Sequence, residues 1–147
     1  MESVTLKSVV IGFIAGAIAV VTVHELIDYA LLQAGYFPRV PWSTTPAAVT
    51  EIPQIASDIL WGGLWGAVFA LILGNKPHGS MTLRGALLGI LGPALVGVFI
   101  LVPLITGRFP MFFDGDQNMI GSVLLIAAGF GAAKAWLYGL LSYGRLP

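Results

Sequence analysis

His24, Glu25 and Asp28 stand inside a stretch that is otherwise apolar from Val9 to Leu32, apart from Thr22 and Tyr29. His24-Glu25-x-x-Asp28 offers a nitrogen and an oxygen ligand at i and i+4, on one face of a helix. Joined by Asp58, that set has the donors of a three-ligand zinc or iron site. The motif resembles H-E-x-x-H only loosely, because the second histidine is replaced. A proton relay is the second chemistry, since imidazole titrates near neutral pH. A haem or pigment contact at His24 is the third. The sequence has two histidines and His78 falls in a loop at the other side, which excludes two-histidine ligation within the chain. The plainest reading is the favoured one: His24, Glu25, Asp28 and Asp58 form a self-satisfied hydrogen-bonded knot. Polar pairs between spans contribute about 0.6–2 kcal/mol each, and they fix register as much as they stabilise.

The surroundings give the cluster its weight. A charge in hydrocarbon is costly, so an ionisable group within a span marks a site. Apolar residues make up 57% of the chain and charged ones 10%, and mean hydropathy is +0.91, a membrane protein's balance. The net charge of zero leaves no basic patch for nucleic acid. The absence of cysteine removes disulfides, thiolate metal sites and cysteine nucleophiles together. No hydrolase or redox motif is present.

A helix needs roughly 20 apolar residues to cross about 30 Å of hydrocarbon. Four segments qualify, at about 9–32, 52–74, 83–106 and 119–143, within a single transmembrane domain over residues 1–147. Lys7 before an apolar run resembles a signal peptide, but the run is too long and reads as an uncleaved anchor. Gly35, Gly74, Gly107 and Gly144 follow the spans, as helix terminators do. Lys7, Lys76, Arg84 and Arg145 fall on one side, and Arg39 and Arg108 on the other. The bias puts both termini in the cytoplasm. The loops Gln33–Glu51 and Gly107–Asn118 then face outward, and their prolines and aromatic rings suit the headgroup level.

The two halves carry a faint duplication. Thr5-Leu6-Lys7 before Gly12 matches Thr82-Leu83-Arg84 before Gly89, and Gly35-Tyr36-Phe37-Pro38 matches Gly107-Arg108-Phe109-Pro110. Two helical hairpins related by an axis along the membrane normal would result. His24, Asp28 and Asp58 match Leu101, Ile105 and Val123, so the polar cluster belongs to the first half.

Small residues let helices approach closely in lipid. The first span carries the row Gly12, Gly16, Val20, His24, Asp28, and the second carries Asp58, Gly62, Gly66, Ala70, Gly74. Laid antiparallel, Gly12 meets Gly74 and Asp28 meets Asp58. Lys134 differs from the cluster. It lies in the cytoplasmic half of the fourth span, where the chain has no carboxylate at its depth. It snorkels to the inner interface, lines a wet cavity, or pairs with a lipid phosphate or an acid of another subunit. Pro93 should kink the third span. Trp61 and Trp65 read as packing anchors.

His24, Gly35-x-x-Pro38-Arg39-x-Pro41 with Ser43, Trp61-Gly62-Gly63-Leu64-Trp65-Gly66, and Pro103-Leu104 before Gly107 carry a resemblance. The chain looks like a family of small, uncharacterised bacterial inner-membrane proteins with four spans. That likeness implies an all-α membrane fold in the inner membrane and carries no activity; Glu25 and Asp28 make this chain the more acidic version. The expectation is a non-catalytic accessory or assembly subunit of a larger bacterial membrane complex, of respiratory or photosynthetic type, with no cofactor of its own. Its partners would be the bilayer, other membrane subunits or itself, and no nucleic acid. The alternatives are a small oligomeric proton- or cation-coupled transporter or channel using the outer cluster, and a membrane-embedded metal site.

Overall fold

The computed structural model describes residues 5–74 and 81–143. The expected cytoplasmic loop at Asn75–Thr82 falls largely outside them, as do His78, Lys76, Gly144 and Arg145. The described part is all-helical and contains four helices long and apolar enough to span a membrane: α1 (Leu6–Ala34), α2 (Gln54–Leu73), α3 (Thr82–Thr106) and α4 (Gln117–Ser142). Their ends differ from the expected spans by no more than three residues.

The ends follow from local chemistry. Thr5 caps α1, its side chain accepting the Ser8 N–H at 3.2 Å. α1 stops at Gly35, with φ +79°, and α3 at Gly107, with φ +64°. Only glycine adopts that left-handed conformation without penalty, so each turn is sharp. Pro53 precedes α2, where its missing N–H is of no consequence. Two stretches widen to π-helical geometry: Val20–His24 in α1 and Ile90–Leu101 in α3. The second surrounds Pro93, which removes one backbone donor and displaces its neighbours' pairing.

The large apolar side chains point outward, as lipid demands. Val10, Ile14 and Ile18 form an exposed row on α1, and Leu83, Leu87 and Leu91 form one on α3. Small residues fill the seams instead. Gly66 of α2 sits between Gly12 and Gly16 of α1, and Gly16 lies against Gly62. Gly131 of α4 sits between Gly85 and Gly89 of α3 in the same manner. α1 also packs along α4, so the helices follow the order α2, α1, α4, α3. α2 reaches α3 through the Trp65 ring: a methyl group placed on Gly92 would come within 2.7 Å of it.

The glycine seam between α1 and α2 is where the sequence placed it, but its register is different. Gly12 faces Gly66 and Ala70 rather than Gly74, a shift of about one to two helical turns. Gly74 packs instead beside Tyr138 of α4, whose hydroxyl donates to the Gly74 carbonyl at 3.2 Å. Rows of small residues four apart can slide by a turn and still mesh, so the glycines alone do not set the register. The Val20 side chain seated over Gly62 adds a larger group that distinguishes one register from the next.

Candidate functional site

The register shift separates the two aspartates that the sequence pairs directly. A loop residue reconnects them. After Gly35 the chain turns back, and Phe37 inserts among Ala94, Phe99 and Val123. This anchor and the flanking Pro38 and Pro41 direct Arg39 inward. Arg39 Nη1 donates to Asp28 Oδ2 at 2.8 Å, and Nη2 donates to Asp58 Oδ2. One guanidinium therefore spans α1 and α2, using the forked donor geometry that suits carboxylates. Nη1 also lies 3.8 Å from Glu25 Oε1. Burial opposes the charge on Arg39. The carboxylates of Asp58, Asp28 and Glu25 outweigh burial and hold its pKa above the ordinary arginine value.

Trp42 completes the closure. Its backbone N–H donates to Glu25 Oε2 at 2.8 Å, and its indole N–H donates to the Val21 carbonyl at 2.9 Å. Val21 lies in the widened turn of α1, where the regular carbonyl pairing is disturbed. Trp42 makes both bonds from a left-handed backbone, with φ +48°. Such a conformation costs of order 1 kcal/mol or more and persists only when other contacts enforce it. Gln54, one turn before Asp58 on α2, donates to Asp58 Oδ1 at 2.9 Å.

His24 sits at the centre of the remaining charge. Its Nδ1 is 3.3 Å from Glu25 Oε1 and 3.5 Å from Asp28 Oδ2, and its ring meets Phe130 of α4 edge-on at 6.1 Å. Glu25 and Asp28 are 1% and 0% exposed, so both carboxylates are withdrawn from bulk solvent. Asp28 Oδ1 has no hydrogen-bond donor. Three carboxylates face one guanidinium and one imidazole. With all three carboxylates ionised, the cluster is one positive charge short even when the imidazole is protonated.

His24, Glu25 and Asp28 bring one nitrogen and two oxygens within 4.8 Å of one another. Asp58 is not part of that group, contrary to the expected triad of His24, Asp28 and Asp58; the register shift sends it to Arg39 and Gln54. The donor types suit a divalent cation, but the Arg39 guanidinium occupies the flank of the same carboxylates. A metal ion would have to displace it.

The cluster opens onto a cleft of about 840 Å³ between α2 and α3. His24, Asp28 and Asp58 border it, and so do the apolar and aromatic side chains of Trp65, Pro93 and Phe130. α1 and α4 form its floor, and the loops that follow α1 and α3 form its rim, where Arg108 is exposed. Such a volume lies within the roughly 300–1,000 Å³ of small-molecule sites.

Lys134 lies apart from the cluster. It is 0% exposed, so it neither snorkels nor offers a surface to a lipid or a partner subunit. Its Nζ lies 4.7 Å from the Phe130 ring centroid and 5.7 Å from that of Phe69, with a long 3.4 Å hydrogen bond to the Trp65 carbonyl. Among the described residues it has no ion pair.

The polar residues read from the sequence do converge. Sequence reasoning missed Arg39, Trp42 and Gln54. A signal existed for the first: four polar groups in one leaflet lacked a countercharge, and Arg39 is the sole Lys or Arg of the adjoining loop. For Gln54 the i, i+4 spacing to Asp58 was visible. Comparison of the chain with protein-family models, curated proteins and solved structures finds no match.

Proposed function

We propose that this protein is a non-catalytic accessory or assembly subunit of a larger complex in the bacterial inner membrane. The observation that carries the reading is Arg39 joining Asp28 of α1 to Asp58 of α2. The residues with the most reactive potential fasten an outer loop onto a helical hairpin. What remains is a thin bundle with little mass beyond the membrane. In each span's most apolar window 28–44% of residues are buried, and the rest are exposed or only partly covered, which leaves surface on every helix for lipid or neighbouring subunits. In this reading both termini are cytoplasmic, as the Lys and Arg bias favours. The two hairpins are repeats about an axis along the membrane normal. Each hairpin closes on a glycine seam, Gly66 between Gly12 and Gly16 and Gly131 between Gly85 and Gly89, although the second seam lies one turn away from the position that the matched sequence gives it.

Purification from the native membrane in mild detergent tests the proposal. The expected result is a stoichiometric complex with other membrane subunits, identified by mass spectrometry. Recovery of the chain alone, or only as a homo-oligomer, overturns it.

A further inference from the structure

The α2–α3 cleft has a polarity that the subunit role does not explain. Trp61, Trp65, Pro93 and Phe130 give its lining apolar and aromatic surface. The lining also includes Asp28, whose side chain is wholly buried and whose Oδ1 lacks a donor. Arg39 already serves Asp28 Oδ2 and Asp58 Oδ2, and Gln54 serves Asp58 Oδ1. With all three carboxylates ionised, the cluster is still one positive charge short. A buried, uncompensated charge is costly, so a cation that reaches Asp28 gains more there than in water.

We propose that the cleft between α2 and α3 binds an amphiphilic organic monocation, its ammonium group at Asp28 and its apolar body against Trp65 and Phe130. An ammonium brings up to three N–H donors and no acceptor, which matches an orphan carboxylate oxygen. The Phe130 ring already faces the Lys134 ammonium at 4.7 Å, so that end takes the apolar body and the charge goes to the carboxylates. An anionic headgroup would meet the unbalanced carboxylates and is disfavoured. A bare divalent ion would use the carboxylates but leave the apolar volume without a purpose. This inference goes beyond the subunit role and does not depend on it.

Three acridines of one ring shape separate the cases. 9-(Aminomethyl)acridine carries an ammonium at pH 7.5, acridine is largely neutral, and acridine-9-carboxylate is an anion. Each is titrated into the full chain in detergent micelles while its fluorescence is followed, against empty micelles. The expected result is saturable binding of the cation, at least tenfold tighter than that of the neutral ring, with no saturable binding of the anion. Asp28→Asn should weaken the cation by tenfold or more and bring it level with the neutral ring. Because Asp28 also holds Arg39, a second variant leaves the charges alone. A β-carbon at Gly97 meets the Trp65 ring no closer than 3.9 Å, so a side chain there fits the backbone and enters the cleft. Gly97→Leu should abolish binding of the cation and of the neutral ring while circular dichroism and thermal unfolding stay unchanged. The proposal is overturned if the cation fails to saturate, if the anion binds as tightly, or if Gly97→Leu folds normally and binds as before. It is also overturned if manganese(II) alone binds in an Asp28-dependent manner while the acridine cation does not.

Discussion

Arg39 and Lys134 are both cations enclosed by apolar helices, yet they are held in opposite ways. Arg39 comes from a loop and meets carboxylates on two helices. Lys134 belongs to a helix and meets two aromatic faces and one distant carbonyl. The first arrangement couples loop, α1 and α2 through charge. The second uses the weak potential of π faces to shelter a charge that nothing else in the described chain neutralises. An ion pair specifies which elements meet; a sheltered ammonium specifies little and costs solvation. The Arg39 end of the molecule should therefore depend on its cation, and the Lys134 end should not.

The largest expected effect follows from removing the outer cation. Arg39→Ala leaves Asp28 buried without its donor and Asp58 with Gln54 alone. Stability should fall by about 3 kcal/mol, the low end for a broken buried pair because Arg39 keeps some exposure. Unfolding in mixed micelles, followed by tryptophan fluorescence, reads the loss directly. Arg39→Lys should recover only part of it, since an ammonium cannot fork between two carboxylates as a guanidinium does. Stability of Arg39→Ala equal to the parent would refute the bridging role.

The double variant Arg39→Ala with Asp58→Asn comes next. Removing a carboxylate once its partner is gone relieves part of the penalty. The coupling between the two changes should be about 1–3 kcal/mol, as for residues in one network. Additive changes would mean that Arg39 acts through Asp28 alone.

Arg39 also marks the limit of what the sequence reveals. Hydropathy placed the four spans within three residues, because roughly 20 apolar residues in a row have few other uses. The glycine rows gave the α1–α2 seam but not its register, since spacing of four repeats every turn. The cluster was legible as residue types at one end of the spans. Its closure was not, because it depends on how Gly35, Pro38 and Pro41 turn a loop back, and Trp42 does so from a left-handed backbone. The aromatic shelter of Lys134 was half legible. Phe130 precedes it by four residues on the same helix, whereas Phe69 arrives from α2.

Lys134→Met is expected to have the opposite sign to Arg39→Ala. Methionine preserves the length of the side chain and removes a buried charge, so stability should rise by about 1 kcal/mol. A loss of 2 kcal/mol or more under the same unfolding conditions would show that the π faces and the Trp65 carbonyl do for Lys134 what carboxylates do for Arg39. The contrast between the two ends would then disappear.

Trp42→Phe should cost about 1 kcal/mol, because the indole N–H bond to Val21 is lost while the ring and the backbone bond to Glu25 remain. Hydrogen exchange at residues 20–24 should quicken while exchange around Gly66 and Gly131 does not. Equal acceleration along all four helices would mean that the loop supports the whole bundle rather than one turn of α1.

The smallest expected effect is the coupling between the two cations themselves. Arg39 and Lys134 share no direct partner, but a single ring lies between their neighbourhoods. Phe130 meets His24 edge-on at 6.1 Å and stands 4.7 Å from the Lys134 ammonium. If that ring only fills space, Arg39→Ala and Lys134→Met should add to within about 0.5 kcal/mol. A coupling above 1 kcal/mol that vanishes when Phe130 is changed to Leu would give the ring an electrostatic role. Its edge is positive and its face negative, so a ring that orients to both groups transmits the charge state of the histidine to the lysine. Independence of the two ends thus rests on Phe130 keeping one orientation, whichever cation is present.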